Sequence, residues 1–426
     1  MSGDADQGRP WPEVPRPLTT APRAVSAPLP RSWPSGPGIA GASVPPELLH
    51  RPRRRSNALF VFLVSVAMLV GGVVIWLLLV LLDAPRAVAI GALLAAVPVG
   101  PVVAAFLWLD RYEPEPVPLL VSAFGWGAVV ATAAALVLQL LDQAVLGTTD
   151  TWTAVVVAPV TEEGAKGLFV LLLLWRRRAV IDGVLDGIVY AGLVGVGFAF
   201  TENILYLSSA YTGGDGGPSG GFGSATTLFV VRGVFSPFAH PLFTSFIGVG
   251  VGVAVVSRSR VWRFLAPLLG YVAAVAAHAS WNGSAFLDGG RLFVLTYLIA
   301  MVPAFLLLTG FAVWARHREG RMLRRSLLDA ASRGLIDPAE VPWLVRLPAR
   351  RASRRFARAH GGPDGGVVMR EYQQQAVELA FLHDRYLRGT APQDVATRGS
   401  VMVRRLRALR PYVSFPPPRG QWGDPR

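Results

Sequence analysis

Cysteine is absent from the 426 residues of the chain. Its absence excludes disulfide bonds, thiolate metal sites and a cysteine nucleophile, and it leaves the redox compartment undetermined. Lysine is almost absent as well, because Lys166 is the single lysine among 41 basic residues. Charged residues of all kinds make up only 16% of the chain. Any chemistry must therefore come from a small set of ionisable groups, and their positions along the chain are informative.

Apolar residues are abundant instead, at 52% of the chain with a mean hydropathy of +0.44. Segments with almost no charge lie at about 58–82, 87–109, 117–141, 153–175, 180–206, 225–256, 262–285 and 292–315. Each has the roughly 20 residues that a helix needs to cross about 30 Å of hydrocarbon. The sequence therefore predicts an all-α polytopic bundle of about eight transmembrane spans.

Two tails flank this bundle. Residues 1–55 are rich in proline, serine and glycine and lack apolar periodicity, which predicts a disordered tail without a cleavable signal peptide. Residues 317–426 predict a basic, mostly helical cytoplasmic tail, with amphipathic helices near 320–347, 367–388 and 401–410. The predicted transmembrane domain is thus 56–316.

Basic residues of the short loops predict the orientation. The arginine-rich loops all fall on one side of an eight-span bundle: 51–55, 176–178, 258–263 and 316–325. By the positive-inside rule both termini are then cytoplasmic, and the protein is a multi-pass protein of the cell membrane. The net charge of +14 lies mostly in the tails and these loops. Such a distribution favours anionic lipid at the cytoplasmic face as a partner and argues against nucleic acid.

Ionisable residues inside the predicted spans are confined to spans four to seven. They are Glu162, Glu163, Lys166, Asp182, Asp186, Glu202, Arg232, His240 and His278. An ionised group at the bilayer centre costs about 2.5 to 3.5 kcal/mol even on the mildest scale, so such groups usually face one another or water. A structural ion pair between helices is the alternative. The default interpretation is a functional site.

Helical spacing places these polar residues on shared faces. Pairs four residues apart are Glu162 with Lys166, Phe198 with Glu202, Arg232 with Ser236, Ser236 with His240, and His278 with Asn282. Four neighbouring spans thus each present a polar stripe, and together they predict a wet cavity near the midplane. Glu202 lies near the outer end of the fifth predicted span, so it reaches this cavity only if that helix tilts or begins later than residue 180.

Peptide hydrolysis in a membrane would use these groups. Glu162 or Glu163, with a histidine, can activate water, and His278 or Asn282 can donate to the oxyanion. Lys166 and Arg232 are interpreted as supporting charges. Alternatively, two histidines and a glutamate can bind Zn²⁺, with His240, His278 and Glu202 as the ligand set. The usual helical zinc motif HExxH is absent.

The motifs that contain these residues resemble those of the PrsW-type intramembrane proteases, which share a superfamily with CAAX prenyl endoproteases and bacteriocin-processing membrane proteins. The resemblance covers about residues 105–300. It rests on "DRYEPEP" (110–116), "EEGAK" (162–166), "FAFTEN" (198–203), His240 before "PLFTSFIG", and "HASWN" (278–282), in this order on consecutive segments.

This resemblance implies an intramembrane endopeptidase that cleaves a membrane protein, as in the regulated proteolysis of an anti-sigma factor. The matching positions are the paired catalytic glutamates Glu162 and Glu163, the histidines His240 and His278, and the oxyanion-binding Asn282. Glu202 stands where CAAX-type relatives carry a histidine. Members of the family are often classed as metallopeptidases, whereas a metal-free glutamate mechanism is argued for the CAAX relatives, so both zinc and a metal-free mechanism stay open.

Two other functions would use the same residues differently. A proton-coupled transporter or channel would use the ionisable groups as a relay, although the charge-free first three spans speak against the paired repeats common in transporters. A catalytically inactive scaffold would depend on the tails and not on the intramembrane residues.

Overall fold

The computed structural model describes residues 44–49, 58–82, 84–176, 180–214, 220–286 and 290–416. These residues are almost entirely helical and contain no strand, so the predicted all-α class is confirmed. The predicted disordered tail 1–55 lies outside the described residues except for 44–49, in which Pro46–Leu49 form a short helix. Internal contacts divide the chain into a membrane unit, 55–317, and a second unit, 1–54 with 318–426.

Eight long helices start in the membrane unit. They are α1 (Ala58–Leu81), α2 (Pro85–Leu109), α3 (Val117–Leu146), α4 (150–176), α5 (Val184–Thr212), α6 (Phe222–Val256), α7 (Arg260–Phe286) and α8 (Arg291–Ser332). All except α4 are long and apolar enough to cross a bilayer by length and composition. α4 carries the EEGAK motif, whose charges lower its hydropathy. Each predicted span corresponds to one helix, and the predicted bundle is confirmed.

Helix α5 is the most buried helix of the membrane unit. It packs against α6 so closely that a Cβ on Gly187 would lie 2.1 Å from the carbonyl oxygen of Gly248. Small residues at such crossings let two backbones approach inside a membrane, where van der Waals packing holds helices together. Larger side chains, among them Val189 and Val194 of α5 and Val251 of α6, fill the core beside this crossing.

The N-terminus of α5 explains how Glu202 comes to lie inside the bundle. The Asp186 carboxylate accepts hydrogen bonds from the backbone N–H groups of Asp182 and Gly183, at 2.8 and 3.0 Å, and thereby caps the helix. The helix therefore begins at Val184 and not at 180. It continues to Thr212, which leaves Glu202 well inside the helix.

Helix α6 is interrupted in the middle, although the sequence predicted one continuous span over 225–256. A π-helical segment, Val230–Phe235, is followed by a break at 236–238, and the second half begins at Ala239. Pro237 accounts for the break, because proline lacks an N–H and disfavours helical geometry in the residue before it. Ser236 accordingly has φ −124° and ψ 35°. His240 thus lies in the first turn of a new helix.

The second unit consists of the end of α8, a 3-10 turn at Pro338–Glu340, and the helices α9 (Val341–Val345), α10 (Leu347–Leu387) and α11 (Val395–Leu409). The predicted helix over 320–347 is therefore divided, at a turn that contains Gly334 with φ 68°. Arg405 of α11 donates to the backbone oxygens of Glu47 and Leu48, at 3.0 and 2.9 Å, and binds the short helix 46–49.

A buried carboxylate lies in the core of this second unit. The Tyr372 hydroxyl donates to Glu340 Oε2 at 2.5 Å, and Arg410 Nε lies 2.5 Å from Glu340 Oε1. Burial raises the pKa of Glu340, and the nearby Arg410 guanidinium opposes this rise in pKa. The hydrogen bond from Tyr372 and the positive charge of Arg410 together reduce the cost of burying this carboxylate.

Candidate active site

Helix α4 presents the three charged residues of EEGAK on one buried face. Lys166 Nζ lies 3.3 Å from Glu162 Oε2 and 2.8 Å from Glu163 Oε1. The Lys166 and Glu163 residues have 0% exposed surface, and Glu162 has 5%. The i,i+4 and i,i+3 spacing that the sequence suggested therefore produces real contacts within one helix.

His240 connects this lysine to α5. Its Nδ1 lies 3.1 Å from Lys166 Nζ, and its Nε2 lies 2.8 Å from Glu202 Oε2. The Phe198 ring, one turn before Glu202, faces Lys166 Nζ with its centroid 3.6 Å away. A cation over an aromatic face is attracted by the ring quadrupole, more strongly where water is excluded. The FAFTEN motif thus supplies one partner for His240 and one for Lys166.

Arg232, interpreted from the sequence as a supporting charge, also contacts Glu202. Its guanidinium forms an ion pair with the Glu202 carboxylate and donates through Nε to Asn203 Oδ1 at 2.7 Å. The same guanidinium lies over the ring of Tyr206, with 4.1 Å between its carbon and the centroid. A permanent cation and His240 therefore share the Oε2 atom of Glu202.

His278 of α7 contacts both glutamates of α4. Its Nδ1 lies 3.1 Å from Glu163 Oε1, and its Nε2 lies 3.8 Å from Glu162 Oε2. The Phe243 ring stacks on the imidazole with 4.9 Å between the centroids and 15° between the planes. Stacking and the bond to Glu163 together fix the direction of the imidazole ring.

The two adjacent glutamates have unequal surroundings. Glu163 has donors on both oxygens, because Oε1 contacts Lys166 and His278 while Oε2 accepts from Thr244 Oγ1 at 3.1 Å. Glu162 has longer contacts, at 3.3 Å from Lys166, 3.3 Å from Gln139 Nε2 and 3.8 Å from His278. Glu163 is thus the more firmly held carboxylate, and Glu162 is the freer one.

Asn282 has a different partner from the other predicted site residues. Its Nδ2 donates to the backbone oxygen of Ala154 at 2.9 Å. Ala154 belongs to the π-helical segment Thr153–Val157 at the start of α4, where a carbonyl group can lack its usual helical partner. The amide nitrogen of Asn282 therefore binds the backbone of α4 and not the glutamates or histidines.

Three contacting residues were not predicted from the sequence. Thr244 is four residues after His240, so its helical spacing was a usable signal. Gln139 is an amide within the apolar run "ALVLQLL", which also marks it as unusual. Phe243 carried no such signal, because an aromatic residue in a transmembrane span is ordinary. Ser236, by contrast, donates to the backbone oxygen of Val231 and contributes to the local helix geometry.

Two histidines and a carboxylate of this cluster can hold a metal ion. Among the residues that the structure describes, one ligand atom each from Glu162, His240 and His278 lie within 4.8 Å of one another. The sequence had suggested Glu202 as the carboxylate. In the structure Glu202 Oε2 contacts Nε2 of His240. A carboxylate commonly contacts one ring nitrogen of a histidine whose other nitrogen binds a metal. Two imidazoles and one carboxylate are a ligand set of catalytic zinc sites.

The DRYEPEP motif lies away from this cluster, at the junction of α2 and α3. Asp110 Oδ2 accepts from the Glu115 backbone N–H at 2.8 Å, and the Tyr190 hydroxyl donates to Glu115 Oε2 at 2.8 Å. Burial raises the pKa of Asp110 to about 7, although the Glu115 N–H lowers this pKa in part. The motif thus fastens the loop between α2 and α3 to α5.

Comparison with known proteins agrees with this geometry. A family model described as "PrsW family intramembrane metalloprotease" matches residues 115–308, which include the whole glutamate and histidine cluster. Over this segment the chain is therefore similar to the PrsW family. The chain is accordingly a multi-pass intramembrane protease, and the PrsW resemblance inferred from its motifs is confirmed. The second unit lies outside the PrsW match.

Three curated relatives carry the name Protease PrsW. The protein of Bacillus subtilis (strain 168) is 26% identical over 219 residues, which are 51% of this chain and 88% of the relative. That of Geobacillus kaustophilus (strain HTA426) is 25% identical over 166 residues, 38% of this chain and 67% of the relative. That of Clostridioides difficile (strain 630) is 32% identical over 115 residues, 26% of this chain and 48% of the relative. No solved structure matches the chain.

Proposed function

We propose that this PrsW-like protease hydrolyses a peptide bond of a membrane protein substrate and that Glu162 takes the proton of the attacking water. The observation that supports this proposal is the unequal bonding of the two glutamates. Glu163 is engaged on both oxygens, so it orients its neighbours. Glu162 has longer contacts and a small exposed area, which suits a group that must exchange a proton with water.

The proposed reaction needs one water for each bond cleaved. The water oxygen bonds to the carbonyl carbon while its proton passes to Glu162, and the C–N bond then breaks as this proton passes to the leaving nitrogen. Lys166, held by both glutamates, supplies positive charge close to the developing oxyanion. His278, oriented by Glu163, is a second group placed for proton transfer. Asn282 remains a proposed oxyanion donor, a role that requires it to release Ala154.

A divalent metal, most simply zinc, is the second part of the proposal. Each histidine uses one ring nitrogen for a carboxylate, His240 for Glu202 and His278 for Glu163, which leaves the other nitrogen for a metal. Glu162 would complete the set through one carboxylate oxygen, and its other oxygen would remain available for the water proton. Zinc, when bound, supplies a Lewis acid that activates water. Lys166 contacts Glu162 and His240 as well, so the lysine and a metal would compete for these atoms.

Cleavage of a membrane protein by the purified protease in liposomes tests the role of Glu162. Glu162→Gln should lower the cleavage rate by about 100-fold or more, the usual contribution of a general base. Leu168→Ala, on an exposed part of the same helix, is the matched control and should cleave normally. A Glu162→Gln protein that inserts correctly and still cleaves at the normal rate would exclude this role.

Metal analysis tests the second part independently of the first. Purified protein should contain about one equivalent of zinc, and His278→Ala should lose it. His383→Ala is the control, because His383 pairs with Asp329 in the second unit. Chelation should abolish cleavage and added zinc should restore it. Full activity in metal-free protein would refute zinc as a cofactor and leave Glu162 as a metal-free base.

Orientation and substrate are further parts of the proposal. The arginine-rich loops support a cell-membrane protein with both termini cytoplasmic, which reporters fused to successive loops would test. Regulated proteolysis, for instance of an anti-sigma factor, is the role that the family resemblance favours. Membrane proteins that accumulate in cells expressing Glu162→Gln are the candidate substrates. Similarity to a protease family favours this role over the transporter and scaffold alternatives.

Anionic lipid is the proposed partner of the second unit. Exposed arginines of α10 include Arg351, Arg355, Arg358 and Arg370. Burial lowers the pKa of Arg354, and the charges of Arg370 and Arg351 lower it further, so these guanidiniums lie close together. Such a cluster favours a surface of acidic headgroups. Binding to vesicles should require acidic lipid and weaken with salt, and nucleic acid is not an expected partner.

A further inference from the structure

Helix α3 carries three polar side chains on the face that it turns toward α4. Gln139, Asp142 and Gln143 are spaced i, i+3 and i+4, so they form one stripe. The residues next to Gln139, Leu138 and Leu140, are 45% and 55% exposed, on the face that would meet lipid. The stripe is therefore set apart from an otherwise apolar helix.

Polar residues of the following turn and of α4 continue this stripe. Asp142 Oδ2 accepts from the hydroxyls of Thr148 and Thr153, the latter at 3.3 Å. Gln143 Nε2 donates to Asp150 Oδ1 at 3.1 Å. We name the set formed by Gln139, Asp142, Gln143, Thr148, Asp150 and Thr153 the polar seam. The segment 142–152 contains Asp142 and Asp150 but no lysine or arginine, so the polar seam is acidic in composition.

The inner end of the polar seam touches the proposed base. Gln139 Nε2 donates to Glu162 Oε1 at 3.3 Å. Gln139 lies about 10 Å from the end of α3 and Glu162 about 18 Å from the start of α4, at 1.5 Å per residue. The seam therefore leads from the end of the bundle where α3 passes into α4 to the depth of the active site. Gln143 and Gln139 are separated by about 6 Å of helix, a distance that one bridging water can cover.

We propose that the polar seam is the route by which water reaches Glu162 and that Gln139 positions the Glu162 carboxylate at its inner end. The inference rests on the proposed function, in which Glu162 activates a water. Hydrolysis consumes water in a region where hydrocarbon excludes it, and a water held inside a protein needs two to four polar partners. The amides, hydroxyls and carboxylates of the seam supply such partners along its length.

The absence of cysteine makes a direct test simple, because each introduced cysteine is the only thiol in the chain. Gln139→Cys and Gln143→Cys are compared with Leu138→Cys and Leu140→Cys, which lie on the exposed face of the same helix. A membrane-impermeant methanethiosulfonate is added to intact cells, where it reaches the outer end of the bundle in the proposed orientation. It is added separately to inverted vesicles, where it reaches the cytoplasmic end.

We expect Gln139→Cys and Gln143→Cys to react at least tenfold faster than the leucine controls, from the outer side. A cationic reagent should react several-fold faster than an anionic one, because Asp142 and Asp150 border the seam. Reaction of Gln139→Cys no faster than Leu140→Cys, or reaction from the cytoplasmic side alone, would overturn the inference.

Activity supplies the second readout. Gln139→Leu should lower kcat with little change in KM, and Gln139→Asn, which retains an amide, should recover part of the loss. Equal kcat for wild type and Gln139→Leu would remove Gln139 as a positioning residue. Thiol labelling does not depend on catalysis. An active Glu162→Gln protein would therefore refute the proposed base, whereas unlabelled seam cysteines in an otherwise Glu162-dependent enzyme would refute the seam alone.

Discussion

Replacing Thr244 with valine removes one hydroxyl group from the surroundings of Glu163 and keeps nearly the same side-chain shape. Thr244 Oγ1 donates to Glu163 Oε2 at 3.1 Å and also lies 3.0 Å from the backbone oxygen of His240. The other donors of Glu163, Lys166 and His278, contact Oε1. Thr244→Val therefore leaves the second oxygen of a fully buried carboxylate without this donor.

A hydrogen bond to a charged group contributes about 1.5 to 3 kcal/mol. The hydrogen bond from Thr244 holds Glu163 and, through Glu163, the His278 ring. Its removal should therefore reduce the stabilisation of the transition state by most of this energy. A loss of this size corresponds to a decrease of about 10- to 150-fold in kcat, since about 1.4 kcal/mol equals a factor of ten. KM should change little, because the fully buried Thr244 side chain acts through Glu163.

The assay is cleavage of a membrane protein substrate by reconstituted enzyme at saturating and limiting substrate. Thr244→Ser, which keeps the hydroxyl, should recover most of the activity. Ser245→Ala is the matched control, because Ser245 is an equally buried neighbour whose hydroxyl donates to the backbone oxygen of Pro241. Unchanged kcat in Thr244→Val, or an equal loss in Ser245→Ala, would refute the orienting role of Glu163.

Three further predictions concern stability. Asp110→Asn should alter the pH dependence of unfolding. The pKa of Asp110 is raised in the folded protein, so wild-type stability falls between about pH 4 and pH 7 as the carboxyl ionises. The variant should lack this decrease when its thermal unfolding is followed in detergent. Gly187→Ala should lower the free energy of unfolding by about 1 to 3 kcal/mol through its clash with α6, whereas Gly310→Ala, with open space around it, should not lower the melting temperature. Arg410→Met should destabilise the second unit by about 3 to 5 kcal/mol, because the buried Glu340 carboxylate loses its cation. Amide hydrogens over 338–412 should then exchange faster than in the wild type. Protection equal to that of the wild type over this segment would contradict the prediction.

Hydropathy and helical spacing predicted the parts of the structure that depend on local order. The eight long helices follow from apolar runs, seven of which are long and apolar enough to cross a membrane, because a helix satisfies its own backbone groups. The contacts of Lys166 with Glu162 and Glu163 follow from their spacing, because all three share one helix. The depth of Glu202 was uncertain only because the start of α5 depends on a cap, which the Asp186 side chain supplies.

Spacing within a helix does not determine how that helix is rotated against its neighbours. Asn282 shares a stripe with His278, yet its amide nitrogen meets the backbone of α4 at a π-helical segment that the sequence did not suggest. Thr244 and Gln139 were missed for a related reason. Hydroxyl and amide groups in a span are often ordinary helix contacts, and only their neighbours in space show that they bind carboxylates.

The break in α6 separates two residues that act on the same carboxylate. Arg232 belongs to the half before residues 236–238, and His240 belongs to the half after them. In an unbroken helix, the insertion or loss of one residue before the active site would turn His240 by about 100° and carry it away from Glu202. At the break, the backbone of Ser236 and its neighbours can change conformation and compensate for such an insertion or loss. The Tyr297 hydroxyl donates to the backbone oxygen of Phe235 at 2.9 Å, directly before the break. The break therefore lets the half of α6 that bears His240 keep its register against Glu202 independently of the helical register of the half that bears Arg232.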